Sequence, residues 1–214
     1  SDMVANWLCS PLKPTGLHLI GGGFSATCSP MSTPIDIERF ARHIVLREIG
    51  GPGQQALGRA RVAIVGAGGL GAPASLYLTA AGVGHITLID SDTTSLDNLQ
   101  RQSLFRTSDV GQSKVETGAA ALQALKPGTQ VVPVQAMIDT GNATDLLAGA
   151  DLVLDGCDNF ETRYSVNAAS RALGIPLISG ALGRWDGQVS MFNASTEAPC
   201  YRCWVPHIPP DAET

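Results

Sequence analysis

Residues Arg61–Asp92 read RVAIVGAGGLGAPASLYLTAAGVGHITLIDSD. An apolar run, Val62 to Val65, stops at Gly66-Ala67-Gly68-Gly69-Leu70-Gly71, an alanine-rich helical pattern follows, and a second strand-like run from His85 closes on Asp90. Strand, glycine-rich turn, helix, strand and terminal acid is the order of a nucleotide-binding βαβ unit. In such a unit Gly66 permits the tight turn, Gly68 and Gly69 lie where the backbone approaches phosphate, and Gly71 lets the helix pack closely. The free N–H groups at the helix start offer an anion site. Asp90 ends the second strand, where a carboxylate can accept from ribose hydroxyls or cap the turn with Ser91 and Asp92.

Around this unit the pattern predicts a mostly parallel α/β sheet with helices on both faces. Upstream, Ile35, Ile37, Phe40, Ile44 and Val45 recur at helical spacing, predicting a helix over 36–47, broken by Gly50-Gly51-Pro52-Gly53, and a second short one over 53–58. Downstream, helices are expected at 69–81, 113–125, 142–148 and 160–173. Strands are expected at 62–65, 85–90, 131–134, 151–154, 177–179 and 188–192, the last antiparallel. Ser113 and Glu116 read as a capping box, and the segment around Cys200-Tyr201-Arg202-Cys203 reads as loop. Residues 1–30 show no sustained period and read as a disordered or non-native extension ahead of a domain over 31–214, with Met31 as a native start.

Composition limits the function classes. Hydrophobic residues make 44% of the chain and charged residues 15%, with 14 Lys and Arg against 19 Asp and Glu, a net charge of -5. With no Lys/Arg block, a nucleic-acid surface is disfavoured. No apolar run is long enough for a membrane helix. The five cysteines form an odd set that reads as cytoplasmic thiols.

The polar connection 91–112 is long enough to suggest work of its own. It carries Asn98, Arg101 and Arg106, and Arg101 can clamp phosphate or carboxylate in a bidentate fashion. Lys114 sits at a helix start, where its charge is disfavoured unless a phosphate shares that end. Asp158 lies at the carboxyl edge of the sheet and reads either as an N-cap completed by Glu161 or as a ligand for Mg²⁺; Asp155 is a second candidate. Cys200 and Cys203 have zinc-knuckle spacing but supply two of the four thiolates a closed site needs, with His207 or Cys157 outside any standard spacing. A redox pair is the other reading.

Taken in order, ARHIVLREIG, VAIVGAGGLGAP, LIDSDTTSLDNLQRQSLF, GQSKVE, DGCDN, PLISGALGRWDGQV and PCYRCW resemble the ThiF/MoeB/HesA adenylyltransferases, bacterial relatives of ubiquitin-activating enzymes. The resemblance covers Arg39 to Thr214. It implies an ATP-binding fold of the E1 type, with ATP rather than NAD on the glycine turn. It further implies Asp90 at the ribose, Asn98, Arg101 and Lys114 at the phosphates, Asp158 on Mg²⁺, and Arg42 reaching into the partner's site of a homodimer. The implied reaction joins the C-terminal glycine carboxylate of a small ubiquitin-like sulfur-carrier protein to AMP, releasing pyrophosphate. The sulfur pathway, whether for molybdopterin, thiamine or tRNA, is left open. Family members continue past the equivalent of Thr214 with a second CxxC. The resemblance therefore reads the chain as lacking its C-terminal part, with structural Zn²⁺ on Cys200 and Cys203 in the complete protein. Two other classes stand beside this one: an NAD-dependent oxidoreductase and a non-catalytic carrier-docking scaffold.

Overall fold

A computed structural model describes residues 35–208 in two compact units, one ending at Gly58 and the other beginning at Arg59. The extension read at 1–30 and the start at Met31 lie outside the described residues.

In the first unit α1 spans Ile37–Ile44, with Asp36 as N-cap accepting from the Arg39 N–H at 3.0 Å. Phe40 is its one buried residue and stacks on His43. The ring of His43 shares a 2.9 Å hydrogen bond with the Gln54 side chain. Helix α2 spans Gly50–Arg59. The glycine-proline run expected to precede that helix therefore opens it. Gly50, at φ +57°, turns the chain into the helix, and Pro52 falls in the first turn, where a missing N–H costs nothing. The upstream helix ends at Ile44 rather than at 47.

The second unit is built on six strands: β1 Arg61–Val65, β2 His85–Ile89, β3 Gln130–Val134, β4 Leu152–Asp155, β5 Leu177–Leu182 and β6 Gly187–Phe192. Their order is β3-β2-β1-β4-β5-β6. All neighbours run parallel except β6, which is antiparallel to β5. Between them run α3 Gly71–Ala81, α4 Lys114–Leu125, α5 Ala143–Leu147 and α6 Phe160–Leu173, and a short helix α7, Tyr201–Trp204, follows β6.

Strand alternation sorts the core onto two faces. Ala63, Val65, Ile89 and Val153 pack with Leu147, Val166 and Ala169 under α5 and α6. On the other face α4 approaches so closely at Gly118 that an added Cβ would lie 3.0 Å from Leu88. Both faces are thus covered, as the apolar strands require. Helices α3 and α6 end on Gly82 and Gly174, both left-handed. Among the described residues no helix is long and apolar enough to cross a membrane.

Two local expectations are corrected. Ser113 precedes α4 but makes no capping hydrogen bond; its neighbour Thr93 pairs with it as an isolated bridge, which holds the helix start by backbone instead. The CYRC segment is helical, not loop. The Tyr201 N–H donates to Asn167 Oδ1 at 2.8 Å, and the Tyr164 hydroxyl donates to the Val205 carbonyl at 2.9 Å. Tyr201 is buried against Phe192 and Tyr164, edge to face.

Candidate functional site: a cavity at the sheet's switch point

The strand order reverses between β1 and β4, because β1 continues by crossover to β2 on one side while β4 lies on the other. Open α/β sheets bind ligands at that reversal, beyond the carboxyl ends of the strands. A cavity of about 770 Å³ lies there. It is lined by the glycine turn, Asp90, Asn98, Arg101, Lys114 and Asp158. The fold therefore brings Gly66, Gly68, Gly69, Asp90, Asn98, Arg101, Lys114 and Asp158 to one cavity, while Gly71, Cys200 and Cys203 are not part of its lining. Arg42 is exposed on α1, in the other unit.

The turn after β1 is held from both flanks: the Gly66 N–H donates to the Ile89 carbonyl at 2.8 Å, and the Gly156 N–H donates to the Val65 carbonyl at 2.9 Å. Gly66 has φ +87°. Asp90 caps the turn, its Oδ2 accepting from the Ala67 N–H at 2.7 Å and its Oδ1 from the Asp92 N–H at 2.8 Å. Each oxygen keeps a second lone pair, so the cap role and a ribose role are compatible.

Lys114 is buried, and its ammonium pairs with Asp92 Oδ2 at 2.9 Å. The backbone repeats the pairing, since the Lys114 N–H donates to the Asp92 carbonyl at 3.0 Å. The charge at this helix start thus has a carboxylate partner, one that is 63% exposed and lines the same cavity. Arg101 lies across the glycine turn, its Cδ 3.5 Å from where a Cβ on Gly69 would sit. It donates to the Asp97 carbonyl at 3.2 Å. The Ser95 hydroxyl donates to Asp97 and holds that carboxyl below its ordinary value.

At the end of β4 the N-cap of α6 is Asn159, whose Oδ1 accepts from the Thr162 N–H at 2.8 Å. The cap reading of Asp158 is therefore corrected. Asp158 is exposed to the cavity, and no partner is found for it among the described residues. A free carboxylate in a cavity also lined by Arg101 and Lys114 fits Mg²⁺, which commonly takes one or two protein carboxylates and completes its shell with phosphate and water. Asp155 does not fit that role. Its Oδ2 meets Arg163 at 3.2 Å and Ser179 at 2.8 Å, and its Oδ1 accepts from the Cys157 N–H at 3.1 Å.

Arg163 and the buried Gln102 line the cavity without having been singled out from the sequence, and Asp92 lines it in a role beyond the turn partner it was read as. Cys157 also lies here. Burial first, and then Asp155, push its thiol well above the ordinary value. Since the thiolate is the reactive form, iodoacetamide at pH 8 is expected to label exposed Cys203 at least about tenfold faster than Cys157, read by peptide mass spectrometry. Equal labelling would overturn the burial of that thiol.

The sulfurs of Cys200 and Cys203 are 3.4 Å apart. Among the described residues no group of three His, Cys, Asp or Glu could hold a metal, so His207 and Cys157 do not complete the pair. Two thiols fit one half of a tetrahedral zinc site and no more.

The sequence profile of the ThiF family matches residues 40–214. The chain belongs to the ThiF family. As a ThiF-family chain it is 48% identical over 165 residues to a molybdopterin-synthase adenylyltransferase of Escherichia coli, covering 77% of this chain and 66% of that protein. It is 43% identical over 182 residues to a sulfur carrier protein adenylyltransferase of Thermus thermophilus, covering 83% and 67%. The chain thus spans about two thirds of the length of these curated relatives. Among solved structures it resembles the E. coli tRNA N6-threonylcarbamoyladenosine dehydratase TcdA in complex with ATP, with TM-score 0.65 and 30% identity over 69% of this chain and 60% of that one. The ThiF-family assignment agrees with the α/β fold and with the order of motifs along the chain.

Proposed function

We propose that this chain adenylates the C-terminal carboxylate of a small ubiquitin-like sulfur-carrier protein, with ATP as donor and pyrophosphate as the leaving group. The observation that carries the reading is the shared cavity: a glycine turn at a helix start, the Asp90 carboxylate, the Arg101 and Lys114 cations and the unpartnered Asp158 all line it. The glycine turn and α3 N-terminus offer backbone donors to phosphate. Asp90 accepts from the ribose, which sets the nucleotide's direction across the sheet. Asn98, Arg101 and Lys114 meet the phosphates and neutralise charge as it shifts toward the leaving group. Mg²⁺, held by Asp158, would supply further neutralisation of the phosphates.

A carboxylate oxygen of the carrier attacks the α-phosphorus, the bond from that phosphorus to the bridging oxygen breaks, and the electron pair leaves on pyrophosphate. The nucleophile is already ionised at neutral pH, so no general base is required. The test is ATP–pyrophosphate exchange with and without a carrier ending in glycine. Exchange that needs the carrier supports the proposal. Tight NAD binding without ATP binding would favour an oxidoreductase, and carrier binding without exchange would favour a docking scaffold.

A homodimer belongs to the same proposal, with Arg42 of one subunit completing its partner's nucleotide site. Mixing an Arg42→Ala chain with a Lys114→Ala chain is expected to restore about a quarter of wild-type exchange, because a freely mixed population places both intact residues at one site in four. No recovery, despite subunit exchange shown by mass spectrometry, would return Arg42 to a role within its own subunit or none. Structural Zn²⁺ on Cys200 and Cys203, completed by two further ligands, belongs to the same proposal.

A further inference from the structure

Arg163 is buried beside the cavity, and so is its partner Asp155. A buried ion pair is a poor source of stability, because desolvation of the two charges offsets most of their attraction. The contacts here have a geometric consequence instead. The guanidinium reaches three elements: Nη1 donates to Asp155 Oδ2 at the end of β4 and to Ser179 Oγ on β5, at 2.9 Å for the serine, while Nη2 donates to the Cys157 carbonyl in the turn. Asp155 Oδ1 completes the frame by accepting from the Cys157 N–H at 3.1 Å. Both peptide groups of Cys157 are therefore tied down. The next residue is Asp158, and beyond it Asn159 is fixed as the cap of α6. No side-chain partner holds Asp158 among the described residues, so its carboxylate is aimed by the backbone on either side.

We propose that Arg163 is a positioning residue, which through the Cys157 carbonyl sets the Asp158 carboxylate where it can take a divalent cation on the nucleotide. The inference rests on the adenylation reading of the cavity. The planar fork of arginine is what the arrangement uses, since it joins an acid, a hydroxyl and a carbonyl at fixed angles. A lysine offers one point charge and cannot span them. Loss of such an outer contact typically weakens metal binding by about 10–100-fold.

The test uses the 214-residue chain, Mn²⁺ as a paramagnetic probe followed by electron paramagnetic resonance, and α,β-methylene ATP as nucleotide. Three variants are compared: Arg163→Lys, the charge-neutral pair Asp155→Asn with Arg163→Met, and Asp158→Asn, which sets the scale for loss of the carboxylate. The lysine variant and the neutral pair are expected to raise the Mn²⁺ half-saturation point at least about tenfold, approaching Asp158→Asn. Affinity for the nucleotide in metal-free buffer is expected to stay within about threefold of wild type. Because the neutral pair removes both buried charges together, its melting temperature is expected near wild type. A neutral pair that melts and binds Mn²⁺ like the wild type would overturn the proposal, leaving Arg163 a packing residue. Parallel loss of metal-free nucleotide binding would overturn it too, by showing general damage to the cavity. Wild type that binds no nucleotide at all would remove the adenylation reading itself, an outcome distinct from either.

Discussion

Lys114→Ala is expected to lower carrier-dependent pyrophosphate exchange by at least about 100-fold while the fold survives, and Arg101→Ala to do the same. The scale is that of losing one preorganised electrostatic contact to developing charge, roughly 3 kcal/mol. Lys114 meets that description because its side chain is 6% exposed and its ammonium is already paired with Asp92, at 2.9 Å, on the cavity wall. A contact fixed before the nucleotide arrives costs no reorganisation at the moment of reaction. Stability should be little affected, because the partner left behind is 63% exposed and returns to water. Removing the partner of a buried charge would be far costlier. Arg101 is exposed and bonds a carbonyl, so its loss from the folded state is smaller still. Exchange assays and thermal melts on both variants decide the matter. Near-wild-type exchange in either would remove that cation from the phosphate-binding set.

Most of this architecture is legible in the chain because its signals are local. Val62 to Val65, the glycine turn and Asp90 lie within one βαβ unit, so their reading needs no contact distant in sequence. What escapes is decided by contacts distant in sequence. Whether Ser113 or a backbone bridge holds the start of α4 depends on Thr93, which lies in the connection before it. Whether Asp158 or Asn159 caps α6 is a difference of one residue, and helix boundaries carry that much uncertainty in any pattern argument. Arg163 was passed over because its partners Asp155 and Ser179 lie on two strands outside its own helix, and only the folded sheet brings them to one guanidinium. The CYRC segment looked like loop because Pro199 and Pro206 flank it, yet Tyr201 supplies enough buried surface to dock one helical turn. Asp92 was weighed as a turn partner of Asp90, which it is. Its second role, as counter-charge to Lys114, needs the 91–112 connection to fold back.

Two glycines of the turn are expected to respond oppositely to the same methyl group. A Cβ on Gly71 would lie 1.7 Å from the Gly66 carbonyl oxygen and 3.5 Å from Ile64 Cγ2. The sequence argument had Gly71 making room between helix and strand; the severe clash is with the turn itself. Neither partner can yield cheaply, because Gly66 is held to Ile89, and an added Cβ on Gly66 would in turn lie 3.0 Å from the Gly156 carbonyl. Overpacking a filled core costs about 1–3 kcal/mol and sometimes more. Here the obstacle is backbone at the centre of the sheet, so Gly71→Ala should reach or pass the upper end of that range. Since small domains are stable by only about 5–15 kcal/mol, the variant is expected to melt many degrees lower or to accumulate unfolded. Gly68→Ala meets only Gln102 Nε2, at an ordinary 3.7 Å, so its melting temperature should stay close to wild type. Its methyl would instead narrow the cavity that Gly68 lines, and ATP affinity measured by calorimetry is expected to fall at least about tenfold, a loss of roughly 1.4 kcal/mol. A Gly68→Ala chain that binds ATP normally would mean the phosphates do not approach this part of the turn. A Gly71→Ala chain with the wild-type melting temperature would mean the turn relaxes in a way its hydrogen bonds do not suggest.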